Sequence, residues 1–261
     1  MFHLQRPGRT VAAGAALAVT IGLVAAAPAT ATGHPAPPPA ADRLYVDVAG
    51  TAGEAAARLS GQARTDALTI ASQPIARWFT SGTPAEVRAK ADAYVDSAAA
   101  DGAIPILVAY NVPFRDCSQY SAGGAANTAE YEAWIDGLAA GIGDRAAIVI
   151  VEPDGLGIIP YNIDANGTAE WCQPADANPA TAVADRYEQL NHAVDALKAN
   201  PGTKVYLDGT HPGWLGVGDI TQRLTRAGVA RADGWFLNAS NYVPDNMVQK
   251  YSSWISQCLD L

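Results

Sequence analysis

Two short stretches concentrate the residue types that do acid–base chemistry. The first runs Val108-Ala109-Tyr110-Asn111-Val112-Pro113-Phe114-Arg115-Asp116-Cys117-Ser118 and continues to Ser121-Ala122-Gly123-Gly124. It sets a carboxylate between an arginine and a cysteine in a glycine-rich loop. The second, Val149-Ile150-Val151-Glu152-Pro153-Asp154-Gly155-Leu156, delivers two acids separated by a proline that ends a strand ladder. Asp116 and Asp154 are placed to work as a pair, because a neighbouring carboxylate raises the pKa of an acid that must stay protonated. Two carboxyl groups on neighbouring strand ends are what cleavage of a glycosidic bond requires. Glu152 reads as a structural hydrogen-bonder, and Asp208 as a support behind the reacting groups.

Other chemistries lack their residues. No His/Cys/Asp cluster has metal spacing and no G-x-S-x-G elbow is present, so neither a metal nor a serine triad is expected. No G-x-G-x-x-G or G-x-x-x-x-G-K-[ST] follows a strand, and no cofactor is expected. His192 falls mid-helix and reads as a packing or surface histidine. Trp134, Trp235 and Trp254 read as core.

The elements that must position these residues alternate in type. Candidate strands are Leu44–Val48, Ile75–Phe79, Ile104–Tyr110, Ala147–Val151, Lys204–Asp208 and Gly234–Asn238. Ile-Pro-Ile-Leu-Val and Ala-Ile-Val-Ile-Val are apolar at nearly every position, as strands buried on both faces must be. Thr83-Pro84-Ala85-Glu86 predicts a capping box, followed by a helical stripe of Val87, Ala91, Tyr94, Val95 and Ala98. Asn178-Pro179 predicts the start of a helix with a stripe of Val183, Tyr187, Leu190, Val194 and Leu197. Such alternation specifies an α/β parallel sheet, open or closed into a barrel. Tyr110, Asp116, Asp154, Asp208, His211, Trp214 and Asn241 all fall at or just past strand C-termini, the edge where parallel α/β proteins build active sites.

The V-x-Y-x-x-P-x-R-D-C run and the V-E-P-D run resemble, in order and separation, the two signature motifs of glycoside hydrolase family 6. Asp208–Trp214 is similar to the family's D-x-x-H-x-x-W loop, and Asn238–Tyr242 to its N-x-S-N-Y segment. The resemblance implies a distorted parallel (β/α) barrel of about seven strands and an inverting β-1,4-glucanase. It implies Asp154 as general acid, Asp116 as the partner that keeps it protonated and relays a proton, and Tyr110 as the residue pressing on the sugar at the cleavage site. Trp78, Thr80, His211, Trp214, Asn241 and Asp208 correspond to substrate-binding positions. A Cys117–Cys172 disulfide is expected, since both loops should leave one barrel face, with Cys258 left over. Family members continue past the equivalent of Cys258 into further strands carrying the catalytic base, so the chain is expected to be a C-terminally truncated domain with an incomplete barrel. A glucan-binding relative that does not turn over, and a xylan or mixed-linkage specificity, are the alternatives.

The N-terminus reads as an address. Arg6 and Arg9, an apolar run from Val11 to Ala27 and Ala29-Thr30-Ala31 form a signal-peptide pattern, giving a signal peptide at 1–31, a Pro-rich linker at 32–42 and one catalytic domain at 43–261. A secreted, extracellular protein is expected. Three cysteines in an exported chain suggest one disulfide and one free thiol. With 49% apolar and 16% charged residues the chain is a folded globular type, and a net charge of −9 disfavours nucleic acid and anionic membranes as partners. The expected partner is a neutral β-glucan polysaccharide, bound by a monomer.

Overall fold

The computed structural model describes residues 43–259, so the signal peptide and linker expected at 1–42 lie outside the described residues. Two short helices, α1 (Thr51–Arg58) and α2 (Gly61–Ala71), precede an alternating series: β1 (Arg77–Phe79), α3 (Pro84–Ala100), β2 (Ile106–Ala109), α4 (Thr128–Ile142), β3 (Ala147–Val151), α5 (Ala182–Lys198), β4 (Thr203–Asp208), α6 (Val217–Arg226), β5 (Gly234–Phe236) and α7 (Asp245–Leu259). All pairings are parallel and the spatial order is β1-β2-β3-β4-β5. With strands in sequence order, right-handed crossovers carry α3 to α6 to the same face, which is the winding of a barrel wall.

The two faces of the sheet bear this out. Phe79, Leu107, Ala109, Val149, Val151, Val205 and Leu207 pack against residues of α3 to α7 in one large core. The opposite face carries a small cluster of Val108, Tyr110 and Ile150 with Ala76 and Ile106 against it. The register puts Trp78, Val108, Ile150 and Tyr206 in one row across that inner face. Among the described residues the sheet is open, with β1 and β5 at its edges.

The helices form where their sequences require. Thr83 Oγ1 accepts from Glu86 N while Glu86 Oε2 accepts from Thr83 N, closing the capping box at 3.3 and 2.8 Å. The five residues of the stripe that follows are all buried. Glycines let α4 lie close on α3: a Cβ on Gly137 would sit 2.4 Å from Pro84 O, and one on Gly141 2.4 Å from Arg88 O.

Four expectations are corrected. Leu44–Val48 is no strand: Leu44 makes one bridge to Ile104, and the chain then turns at Asp47–Gly50 into α1, leaving Val48 exposed. Helix α5 starts at Ala182, because Asn178 spends its side chain on Ala180 N and its carbonyl on Thr181 and Ala182, a turn of its own. Trp254 is 52% exposed, since α7 turns Tyr251 and Ile255 to the core and Trp254 falls beside that stripe. Trp235 is only partly buried, packed against the core on the edge strand.

Candidate active site

All ten described non-glycine residues with left-handed backbone lie in loops that follow β2, β3, β4 or β5. They are Phe114, Asp116, Cys117, Ser118, Glu152, Asp154, Tyr161, Thr210, Asn238 and Tyr242. Each such residue costs on the order of 1–3 kcal/mol and persists only where surrounding contacts impose it. Strain confined to one edge of a parallel sheet marks that edge as the functional one.

After β2, Arg115 is the organiser. Its guanidinium donates to Tyr110 O at 2.5 Å, Thr80 O at 2.9 Å, Ser121 O at 2.8 Å and Ala122 O at 3.1 Å. One side chain thus ties the end of β1 to the whole β2 loop. It also lies 4.6 Å from the Tyr110 ring centroid, and Trp78 meets that ring edge-on at 5.4 Å. Asp116 Oδ2 accepts from Ser121 N at 2.8 Å. Thr80 contributes its carbonyl to Arg115 and is partly buried.

After β3, Glu152 and Asp154 straddle Pro153 and turn opposite ways. Glu152 is 1% exposed and accepts the Asn111 and Val112 N–H groups at 3.0 and 3.1 Å, finishing the ladder where β2 ends. Burial pushes its carboxyl up to about 7, against the pull of those N–H groups. Buried Arg186 of α5 stands behind it and donates to Pro113, Gly155 and Ile158 carbonyls, joining the two loops from below. Asp154 is partly exposed. Its pKa is raised, chiefly by burial and then by the negative charge of Asp116, while His211 and Asn241 act to lower it.

Asp208 ends β4. It is 2% exposed and its Oδ2 accepts from Asp154 N at 2.9 Å and Thr210 N at 3.1 Å. Burial lifts it to about 7 despite those two bonds. His211 and Trp214 follow, their rings 5.7 Å apart. Trp214 lies over the loop after β3, where a Cβ on Gly157 would be 2.6 Å from the indole. After β5, Asn238 closes a loop by accepting from Val243 N at 2.9 Å and donating to Val243 O at 3.1 Å, which holds Asn241 toward Asp154. Tyr110 completes the ring of neighbours: its hydroxyl is pushed up to about 12 by burial and by the charge of Asp154.

The Cys117–Cys172 disulfide, Cα atoms 5.6 Å apart, fastens the Asp116 loop to the loop after β3, and Cys258 is a free, exposed thiol. Two hollows are lined by neither Asp116, Asp154 nor Asp208. One of about 730 Å³ lies beside Arg115 and Trp134, and one of about 450 Å³ beside Arg186.

Residues 40–260 match the sequence model described as Glycosyl hydrolases family 6. The chain belongs to that family. It is 38% identical over 229 residues to Endoglucanase A of Thermobispora bispora, covering 86% of this chain and 45% of that protein. It is 37% identical over 244 residues to Endoglucanase 1 of Streptomyces halstedii, covering 92% and 70%. Among solved structures, the endoglucanase Cel6 of Mycobacterium tuberculosis, in complex with a methyl-cellobiosyl-thio-cellobioside, superposes with a TM-score of 0.74 at 32% identity, over 85% of this chain and 71% of that one. The chain thus spans less than half of the first relative's length.

In this family 6 chain the structure draws Tyr110, Asp116, Asp154, Asp208, His211 and Asn241 into one electrostatic neighbourhood. Trp78 and Trp214 stand at its sides, against Tyr110 and His211. His192 lies outside it, on α5 beside Asp136. Sequence reasoning placed Arg115 beside Asp116 without giving it a role, and passed over Arg186. Both left a signal: Arg115 adjoins Asp116, and Arg186 is a cation on the apolar stripe of α5, between Val183 and Leu190.

Proposed function

We propose that this chain hydrolyses β-1,4-glucosidic bonds of cellulose or a related glucan with inversion, Asp154 acting as general acid. The observation that carries the reading is the setting of Asp154: a partly exposed carboxyl on the strained edge of the sheet, its pKa raised by burial and by the charge of Asp116. In the neutral form Asp154 gives its proton to the departing glycosidic oxygen, and Asp116 takes up a proton from solvent water and relays it to the Asp154 carboxylate for the next cycle. Tyr110, held between Trp78 and Arg115, presses on the sugar at the point of cleavage. Trp78 and Trp214 offer flat faces to the C–H sides of glucose rings, and His211 and Asn241 offer hydrogen bonds to hydroxyls.

Inversion needs a second carboxylate about 6.5–9.5 Å from the acid to activate water. Asp208 does not suit that task, being buried and committed to two backbone N–H groups. Its place is to hold the Asp154 backbone. The described residues assign no base. Export is part of the proposal, supported by the N-terminal pattern and by a disulfide, a bond that persists in oxidising surroundings.

Reducing-sugar release from cellulose, a soluble β-1,4-glucan, a mixed-linkage glucan and xylan, beside binding to insoluble cellulose, tests this. Release from the β-1,4-glucans with an α-configured product is the expected result. A retained β-configuration, preference for xylan, or binding without release would each overturn a stated part.

A further inference from the structure

One large aromatic outside the centre is exposed yet firmly mounted. Trp171 is 55% exposed, and it borders a hollow of about 310 Å³ together with Asp164, Thr168, Trp214, Asp219 and Arg223. That volume is at the lower end of the ~300–1,000 Å³ of small-molecule sites. None of the carboxyls around Asp154 lines it.

The loop that carries Trp171 is clamped at several points. Ile163 and Ala169 form an antiparallel bridge, Glu170 N donates to Asn162 O at 2.8 Å, and Tyr161 N donates to Cys172 O at 2.9 Å. Asp164 Oδ1 accepts from Asn166 N and Thr168 N, closing the tip. Cys172, the next residue after Trp171, is fixed by the disulfide. From α6, buried Arg223 holds Glu170 at 2.6 Å and Leu156 O at 2.7 Å, and Asp219 Oδ1 accepts from Ala165 N at 3.0 Å. An indole held this way has already lost the loop freedom that a ligand would otherwise have to remove.

We propose that Trp171 is an additional sugar platform: a glucan chain stacked on Trp214 continues into this hollow and lays a further pyranose ring against Trp171. The remaining carboxylate oxygens of Asp164 and Asp219 and the Thr168 hydroxyl are the acceptors for its hydroxyls. The inference rests on the glucanase reading and extends the same cleft by one position.

The experiment is titration of the full chain with cello-oligosaccharides of two to six glucose units, comparing the unsubstituted protein with Trp171→Ala and Trp171→Phe. Affinity should rise with length in the unsubstituted chain. Trp171→Ala should remove the last step of that rise, about tenfold or more for the longest ligand, with cellobiose unaffected, and Trp171→Phe should restore most of it. A loss equal at every length, or no loss at any, overturns the platform alone. Failure of the unsubstituted chain to bind any of the ligands overturns both this and the glucanase reading.

Discussion

Replacing both Cys117 and Cys172 by serine removes a tie between the loop that carries Asp116 and the one that follows Asp154. The two residues are 55 apart in sequence. Loop-closure entropy for a crosslink of that span stabilises the folded chain by about 4 kcal/mol. For a domain of this size, each kcal/mol moves the melting temperature by roughly 2–4 °C, so the double variant should melt roughly 8–16 °C lower. Cys258 is exposed and free, so Cys258→Ser should change the melting temperature by little. The assay is thermal unfolding followed by circular dichroism at fixed pH without reductant. Turnover should fall as well, because Cys117 directly follows Asp116 and the loop there holds left-handed residues that need enforcement. Melting of the double variant within about 2 °C of the parent, or an equal drop in Cys258→Ser, would refute the argument.

Further outcomes follow from the site. Asp116→Asn removes the charge that helps raise Asp154, so the high-pH limb of the rate profile should shift to lower pH; an unmoved limb would deny the coupling. Asp208 is lifted to about 7 in the fold, so its protonated form is favoured there. Its contribution to stability is present below the ordinary carboxylate pKa and lost as pH rises toward 7, and Asp208→Asn should flatten that part of a urea-stability curve between pH 4 and 7. Gly157→Ala puts a methyl against the Trp214 indole and should raise KM for soluble glucan by up to about 100-fold, as a displaced positioning group does, with melting temperature little changed.

The parallel sheet was legible because both-face burial writes continuous apolar runs, as at Ala147–Val151. The Thr83–Glu86 box was legible because its two bonds are local. The nearness of Asp116 to Asp154 and the Cys117–Cys172 pairing were legible through motifs that fix order along the chain. What escaped depends on contacts between elements distant in sequence. Nothing in Leu44–Val48 announces that its pairing stops after one bridge, and nothing local shows Trp254 missing the core by its angle on α7. The parts played by Arg115 and Arg186 rest on carbonyl partners just past β1 and in the loops after β2 and β3, all within 3.1 Å, which no local spacing announces.

The central claim is that Asp154 protonates the leaving group. It is tested by comparing Asp154→Ala with the parent on a cello-oligosaccharide, whose departing sugar needs a proton, and on an aryl cellobioside with an activated phenol, which needs little. The account predicts a loss of roughly 10²–10⁴-fold on the first substrate and a much smaller one on the second. Equal losses on both would contradict it.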